Sequence, residues 1–382
     1  MLYLARILSV SILLPFMFLQ AAFAADLPAG AIPVGETANK REVADSAGFR
    51  RITSLQVTED TTLSGNLLVE GFITVSPQAT LSILPGSVLR FSADSGIFVF
   101  GRIAVAGTAD APVRLSSVYL VAASSDWAGI TLAGTEKKNV FEHVVFQGAT
   151  TAVNSSFSTF SARNLTIENV ETALKLVDST ALVKDAFFSF ASTGISAFKS
   201  ELDLERAAFE KSRDGLVISA SSLSATDLTF AANSITGFTA ENSRFKLEKG
   251  LFLSNLTGAK ISDSEGSIVN SRFRNNSEAG VVMATSAVRF MANVVAGGGI
   301  GVKLADNFSA LWGNSLSENS HYNLLYLGND KFNAGGNWFG SSNEADVQKG
   351  IYSKQPGALS IKPLLAADPM ANQEIQQIRK RR

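Results

Sequence analysis

The chain has 382 residues, no cysteine and 18% charged residues, with 33 basic against 34 acidic side chains. That excludes a disulfide scaffold, a thiolate metal site and a cysteine nucleophile, and the near-neutral balance argues against a nucleic-acid footprint. Apolar content of 46% excludes disorder, and 26 Phe stand against 5 Tyr and 3 Trp. In chain order, the first element is a secretory signal over residues 1–24: Arg6 gives the positive start, residues 7–19 are apolar apart from Ser9 and Ser11, and Ala22-Phe23-Ala24 has the small-x-small cleavage form. The apolar run falls short of the ~20 residues of a membrane span. No later segment is apolar enough to span a bilayer, so the mature chain, starting at Ala25, is expected to be soluble and periplasmic or extracellular. Residues 25–51, with Pro28, Gly30, Pro33 and Gly35, are read as a linker or N-terminal cap.

The main body, residues 52–365, is decided by an internal repeat. Apolar anchors at Phe146, Ile167, Phe188, Phe209, Phe230, Phe252, Phe273, Val294 and Leu316 recur every 21 or 22 residues. A second column, Gly194, Gly215, Gly237, Gly258, Gly280 and Gly301, keeps the same period, and an apolar residue follows each glycine. Within each period the local pattern alternates, as in Leu174-Lys175-Leu176, Leu202-Asp203-Leu204, Phe245-Lys246-Leu247, Val288-Arg289-Phe290 and Val302-Lys303-Leu304. Period-two alternation means strands with one face inward. A unit of 21–22 residues with about three short strands matches one coil of a parallel β-helix, whereas helical repeats need longer periods. The fold predicted is therefore all-β: a right-handed single-stranded parallel β-helix of about twelve coils, ~55–60 Å long from the strand spacing.

Three residues before the anchors lie Asp185, Arg206, Asp227 and Lys249, read as an outer ladder of alternating sign rather than a catalytic carboxylate pair. Asn169, Asn233, Asn255, Asn276 and Asn319 follow the anchors and are read as corner asparagines bonding neighbouring coils. The Phe excess fits a dry bore, where a phenol or indole lacks a hydrogen-bond partner.

Gly336-Asn337-Trp338-Phe339-Gly340 with Ile361-Lys362-Pro363, and the stretch Leu81-Ser82-Ile83-Leu84-Pro85-Gly86, Val105-Ala106-Gly107-Thr108, Pro112-Val113 and Trp127-Ala128-Gly129-Ile130, resemble the closing and opening coils of exported bacterial parallel β-helix proteins of the pectate-lyase-like superfold. The resemblance implies fold rather than function, because that superfold hosts lyases, hydrolases, epimerases, adhesins and non-catalytic modules. Its polygalacturonase-like members carry paired aspartates with Gly-His-Gly, and that segment is missing from this sequence. Its pectate-lyase-like members gather acids around calcium, and no adjacent Asp pair or in-phase acid column stands out; Glu168, Glu171, Glu210 and Asp214 are scattered.

His143 and His321 lie more than eight coils apart, too far for a shared metal site. Gly297-Gly298-Gly299-Ile300-Gly301 is similar to a β-roll repeat but lacks its aspartate and is single, so it reads as a tight corner. No catalytic residue, metal site or cofactor is assigned. Tyr322, Tyr326 and Trp338, with His321, are the candidate binding residues, since exposed aromatics stack on sugar rings; Tyr352 lies near them, and the preferred reading of these rings is a cap on the last coil. Residues 366–382, ending Arg379-Lys380-Arg381-Arg382, form a basic tail.

The function expected on this reading is a non-catalytic structural or binding module whose partner is a polysaccharide or another cell-envelope protein. The alternative is a carbohydrate-active enzyme, a polysaccharide lyase or hydrolase with a loop-built site. Two or three acids converging with Arg or Lys in one outer groove would favour it.

Overall fold

The computed structural model describes residues 41–371 apart from residue 307. The signal segment and the basic run from residue 372 onward lie outside the described residues.

The described chain is a right-handed parallel β-helix of about thirteen turns. Each strand pairs in parallel with its equivalent one coil later, as in Phe188↔Phe209, Phe209↔Phe230 and Phe230↔Phe252. Inside, the rings stack coil on coil: Phe188–Phe209 at 4.9 Å between centroids, Phe209–Phe230 at 5.0 Å, Phe230–Phe252 at 4.7 Å and Phe252–Phe273 at 4.2 Å. These separations reproduce the ~4.8 Å strand spacing, so stacking and sheet pairing reinforce one another. Most of the described phenylalanines are buried, although Phe190, placed in the same coils by the sequence, is exposed at a corner. The two largest buried polar rings each find a partner, Trp127 through its indole N–H to the Gln147 carbonyl (2.9 Å) and Tyr326 through its hydroxyl to the Asp330 carbonyl (2.7 Å).

The glycine column is required by close approach. A Cβ at Gly215 would lie 2.5 Å from the Gly237 carbonyl oxygen, and one at Gly237 would lie 2.6 Å from that of Gly258. The same clash repeats down the column, so any side chain there pushes coils apart.

Each regular coil turns at three corners, and each corner holds a residue in the left-handed conformation. One column includes Asp185, Arg206, Asp227 and Lys249 with φ of 53–55°. A second includes Asn169, Phe190 and Lys211, and a third Asp178, Lys199 and Asn242. Asparagine and aspartate adopt this conformation at least cost.

Beside the corners run buried polar ladders. The Asn233 amide donates to the Asn255 side-chain oxygen (3.0 Å), and the Asn255 amide to that of Asn276 (3.1 Å). Ser179, Ser200, Ser221, Ser243 and Ser264 form an equivalent ladder at another corner.

Two sequence assignments need correction. Val295, not Val294, continues the anchor column, pairing with Phe273 and Leu316. Asn293, two residues before Val295, fixes that register by accepting from the Ser271 amide (2.8 Å) and donating its own amide to Asn314 (2.9 Å). Asn169 sits in the left-handed corner column instead of the stacked ladder, because the ladder position is its neighbour.

At the N-terminal side, residues 41–49 run along the coils, with Val43 bridging antiparallel to Tyr119 and Arg41 paired with buried Asp126. At the other end, the helix Glu344–Lys349, capped by Asn343, leads to Ile351–Ser353, which adds a parallel strand to Tyr322–Tyr326.

Candidate functional site

The strand Glu201–Glu210 begins with alternating side chains: Leu202 and Leu204 enter the core, while Glu201 and Asp203 stand outside. Two residues of strand rise place these carboxylates ~6.6 Å apart at Cα on one face. Register then fixes what lies alongside. Glu201 pairs with Ser222, Ser222 with Arg244 and Arg244 with Glu265. In the adjacent outer column Asp203 pairs with Ser224 and Ser224 with Lys246. Two strand spacings, ~9.6 Å, therefore separate an acidic edge from a cationic edge.

Between them the floor is Ser222 and Ser224, whose short side chains leave a groove of about 910 Å³. A second concavity of about 810 Å³ shares Glu201, Ser222, Arg244 and Glu265 and reaches Lys199, Asp263 and Phe308.

The charges here are arranged unlike those of the outer ladders. On the neighbouring column Lys184 pairs with Glu205 at 2.7 Å, and at the corner Arg206 grips Asp185 at 2.6 and 3.0 Å. The Arg206 hydrogen bond holds the Asp185 carboxyl below its usual range, against a small opposing effect of burial. Lys246 reaches Glu248 at 3.1 Å. Among the described residues, Glu201, Asp203, Arg244 and Glu265 have no ion-pair partner and no side-chain hydrogen bond. Unneutralised charges of both signs facing each other across an open floor can hold a polar ligand, orient it and move a proton.

No protein-family model and no curated protein matches this sequence. Among solved structures the chain is similar to a variant of the periplasmic alginate epimerase AlgG, at 14% identity over 79% of this chain and 77% of that one, with a TM-score of 0.48. It is also similar to the A-module of the Azotobacter vinelandii mannuronan C-5 epimerase AlgE6, at 10% identity, 84% and 92% coverage and a TM-score of 0.45. A third is the catalytic domain of a GH87 α-1,3-glucanase, at 9% identity, 88% and 70% coverage and a TM-score of 0.26. At these identities the likeness is one of fold. The chain is a parallel β-helix protein.

The expectation of a non-catalytic module is corrected here. One outer groove brings Glu201, Asp203 and Glu265 together with Arg244 and Lys246, the arrangement stated above to favour the enzymatic alternative.

The residues singled out from sequence lie elsewhere. Tyr326 is fully buried and has no surface to offer a ligand; burial raises its phenol pKa, with smaller contributions from Asp330 and Asp306. Tyr322 is half-buried with its ring 5.6 Å from that of Tyr352, Trp338 is half-buried beside Ser315, and His321 is exposed next to Ser320. His143 stands in the first corner column, its Nε2 3.1 Å from the Asn164 amide. Glu171 accepts from Ser125 (2.6 Å), and Asp214 binds Arg213 (3.0 Å) and Thr236 (2.7 Å), so neither reaches the groove. Gly297 to Gly299 form a tight corner, where a Cβ at Gly298 would meet the Asn276 oxygen at 2.4 Å. Sequence reading missed Glu201, Ser222, Arg244 and Glu265. The usable signal was the Glu-x-Asp spacing of residues 201 and 203, which on a strand shares one face.

Proposed function

We propose that this chain is an exported carbohydrate-active enzyme that binds an anionic polysaccharide in the groove and cleaves it hydrolytically. The observation that supports this most is the unpaired acidic edge, Glu201 and Asp203, facing the cationic edge, Arg244 and Lys246, across a serine floor. Arg244 is suited to a substrate carboxylate, because its fork of N–H donors matches two carboxylate oxygens. Held there, the glycosidic bond lies over Ser222 and Ser224 beside the carboxylates, so positioning removes much of the entropic barrier.

One of the two carboxyls, protonated, donates to the glycosidic oxygen as its bond to the anomeric carbon breaks. The other accepts a proton from the attacking water, and two free chain ends result. The two carboxyls stand on neighbouring outward positions of one strand, ~6.6 Å apart at Cα, close enough to act on one glycosidic bond, and the first anomer formed tells inversion from retention. The N-terminal signal supports action outside the cytoplasm.

The test is release of reducing ends from a panel of acidic polysaccharides, with proton NMR of the first anomer formed. Glu201→Gln and Asp203→Asn should each lower the rate at least about 100-fold. Absence of turnover on every polysaccharide, or turnover that survives both substitutions, refutes the reading. An unsaturated, ultraviolet-absorbing product would replace hydrolysis by elimination at the same groove.

A further inference from the structure

The outer column that carries Glu201, Ser222, Arg244 and Glu265 continues to Ala287, which pairs with Glu265. The next coil is in register through Arg289↔Ala310, and two residues upstream on both strands this aligns Ala287 with Phe308. Phe308 thus ends the groove's own column, three coils or ~14 Å beyond Arg244. It lines the same concavity as Arg244 and Glu265, and 65% of its surface is exposed.

Its backbone is anchored. The Asp306 carboxylate accepts from the Phe308 amide (3.1 Å) and, one coil back, from the Thr285 amide. Ser309 donates its hydroxyl to the Ser286 carbonyl (2.7 Å) and accepts from the Val288 amide (3.1 Å). Asp306 and Ser309, each tied to the preceding coil, flank Phe308, which nevertheless stays largely exposed. Other rings, such as Phe157, Phe190 and Trp312, are also exposed, and what distinguishes Phe308 is its place in the concavity that holds Arg244 and Glu265.

We infer that Phe308 is a sugar-stacking platform and a specificity-determining residue for substrate length, an inference that rests on the polysaccharide reading of the groove. The substrate lies along the rod axis, perpendicular to the strands. Arg244 and Lys246 take its carboxylates, and the apolar C–H face of a ring further along the chain packs on the phenyl face. An aromatic without a polar tip suits this, since the contact needs area and no hydrogen bond. Short oligosaccharides held at Arg244 do not reach Phe308, and long ones do.

The experiment is calorimetric titration of the full chain with oligouronates graded from disaccharide to decasaccharide, using Phe308→Ala, Phe308→Trp and Phe308→Leu with thermal unfolding as the folding control. Phe308→Ala should weaken the longest oligomers about 3- to 10-fold and leave the shortest unchanged. Phe308→Trp should retain or strengthen long-oligomer binding, and Phe308→Leu should behave like the alanine variant. If the wild type binds and Phe308→Ala binds every length equally well, or if Phe308→Leu matches the wild type, the platform is refuted while the groove reading stands. If the wild type binds no oligouronate, the anionic polysaccharide reading fails and the platform with it.

Discussion

Removing one rung of the asparagine ladder separates hydrogen bonding from hydrophobic stacking as the source of coil order. Asn255 is 1% exposed, and its side chain makes four bonds. Its oxygen accepts from the Asn233 amide (3.0 Å) and the Asn233 side chain (2.9 Å), and its amide group donates to the Phe230 carbonyl (3.0 Å) and the Asn276 oxygen (3.0 Å). In Asn255→Ala the Asn233 side chain keeps the Phe209 carbonyl (3.0 Å), and Asn276 keeps the main-chain amide of residue 255 (3.1 Å). The Asn233 main-chain N–H and one lone pair of the Phe230 carbonyl lose their partner in a site closed to water. Each orphaned group costs roughly 1–3 kcal/mol, so the expected loss is about 3–5 kcal/mol. Asn255→Ser should cost about half, because a hydroxyl suffices for the amide one coil back: Ser212, in this same column, accepts from Ala191 at 3.2 Å. Asn255→Leu restores volume without an acceptor and should be no better than alanine.

Urea unfolding followed by circular dichroism gives the midpoints. Because a coiled repeat can open locally, hydrogen exchange at the Asn233 amide should be measured alongside. Equal losses for serine and alanine, or a loss below about 1 kcal/mol for alanine, would refute the ladder as a source of stability.

Gly237→Ala should destabilise by about 1–3 kcal/mol, read as a lower thermal midpoint, since its Cβ would sit 2.6 Å from the fixed Gly258 carbonyl. Ser222→Tyr fills the groove floor at an exposed position. It should leave stability within about 0.5 kcal/mol while abolishing polysaccharide turnover, and a drop in both would point to a structural role instead. For Asp126, burial raises the carboxyl pKa, but hydrogen bonds from Arg41, the Ala123 amide and Ser117 together outweigh it and hold the group below its usual value. A depressed folded pKa means that its stabilisation is present above the unfolded value, about 3.9, and is lost as pH falls through the folded one. Asp126→Asn should therefore lower stability at neutral pH and flatten its decline below about pH 4, measured as thermal midpoint against pH.

The fold was legible because the core repeats the same demand every coil. Stacked Phe and closely approaching Gly admit few substitutes, so both columns survive in the sequence with the period intact. The slip in the anchor column, Val294 for Val295, arose where two adjacent valines carry the same apolar signal. Asn293 resolves it, lying two residues before Val295 just as Ser271 precedes Phe273 and Asn314 precedes Leu316. Val294 itself points outward and is still only 3% exposed, on a face where Asp368 accepts from Ser315 and Met370 is buried. A residue covered by a distant segment looks like core in a single sequence. The groove was illegible for a different reason. Its members are 43 residues apart, as Glu201 and Arg244 are, and outer positions carry no repeating constraint that would mark them.

The placement of charge on two neighbouring outer columns separates stability from function. Where Asp185 and Arg206 stand one coil apart, they bond directly, and Lys184 with Glu205 does the same. A face selected only for stability would repeat that arrangement. In the groove columns Ser222 is interposed between Glu201 and Arg244 and Ser224 between Asp203 and Lys246, and where Arg244 and Glu265 do stand one coil apart they form no ion pair. At ~9.6 Å, beyond the ~8 Å screening length of physiological salt, the two edges gain little from each other. The same four charges one coil closer would stabilise the rod and close the space. Held apart, they forgo that attraction, and Glu201, Asp203 and Arg244 keep their hydrogen-bonding capacity for a ligand that bridges both edges, the exchange of stability for function expected of a binding groove.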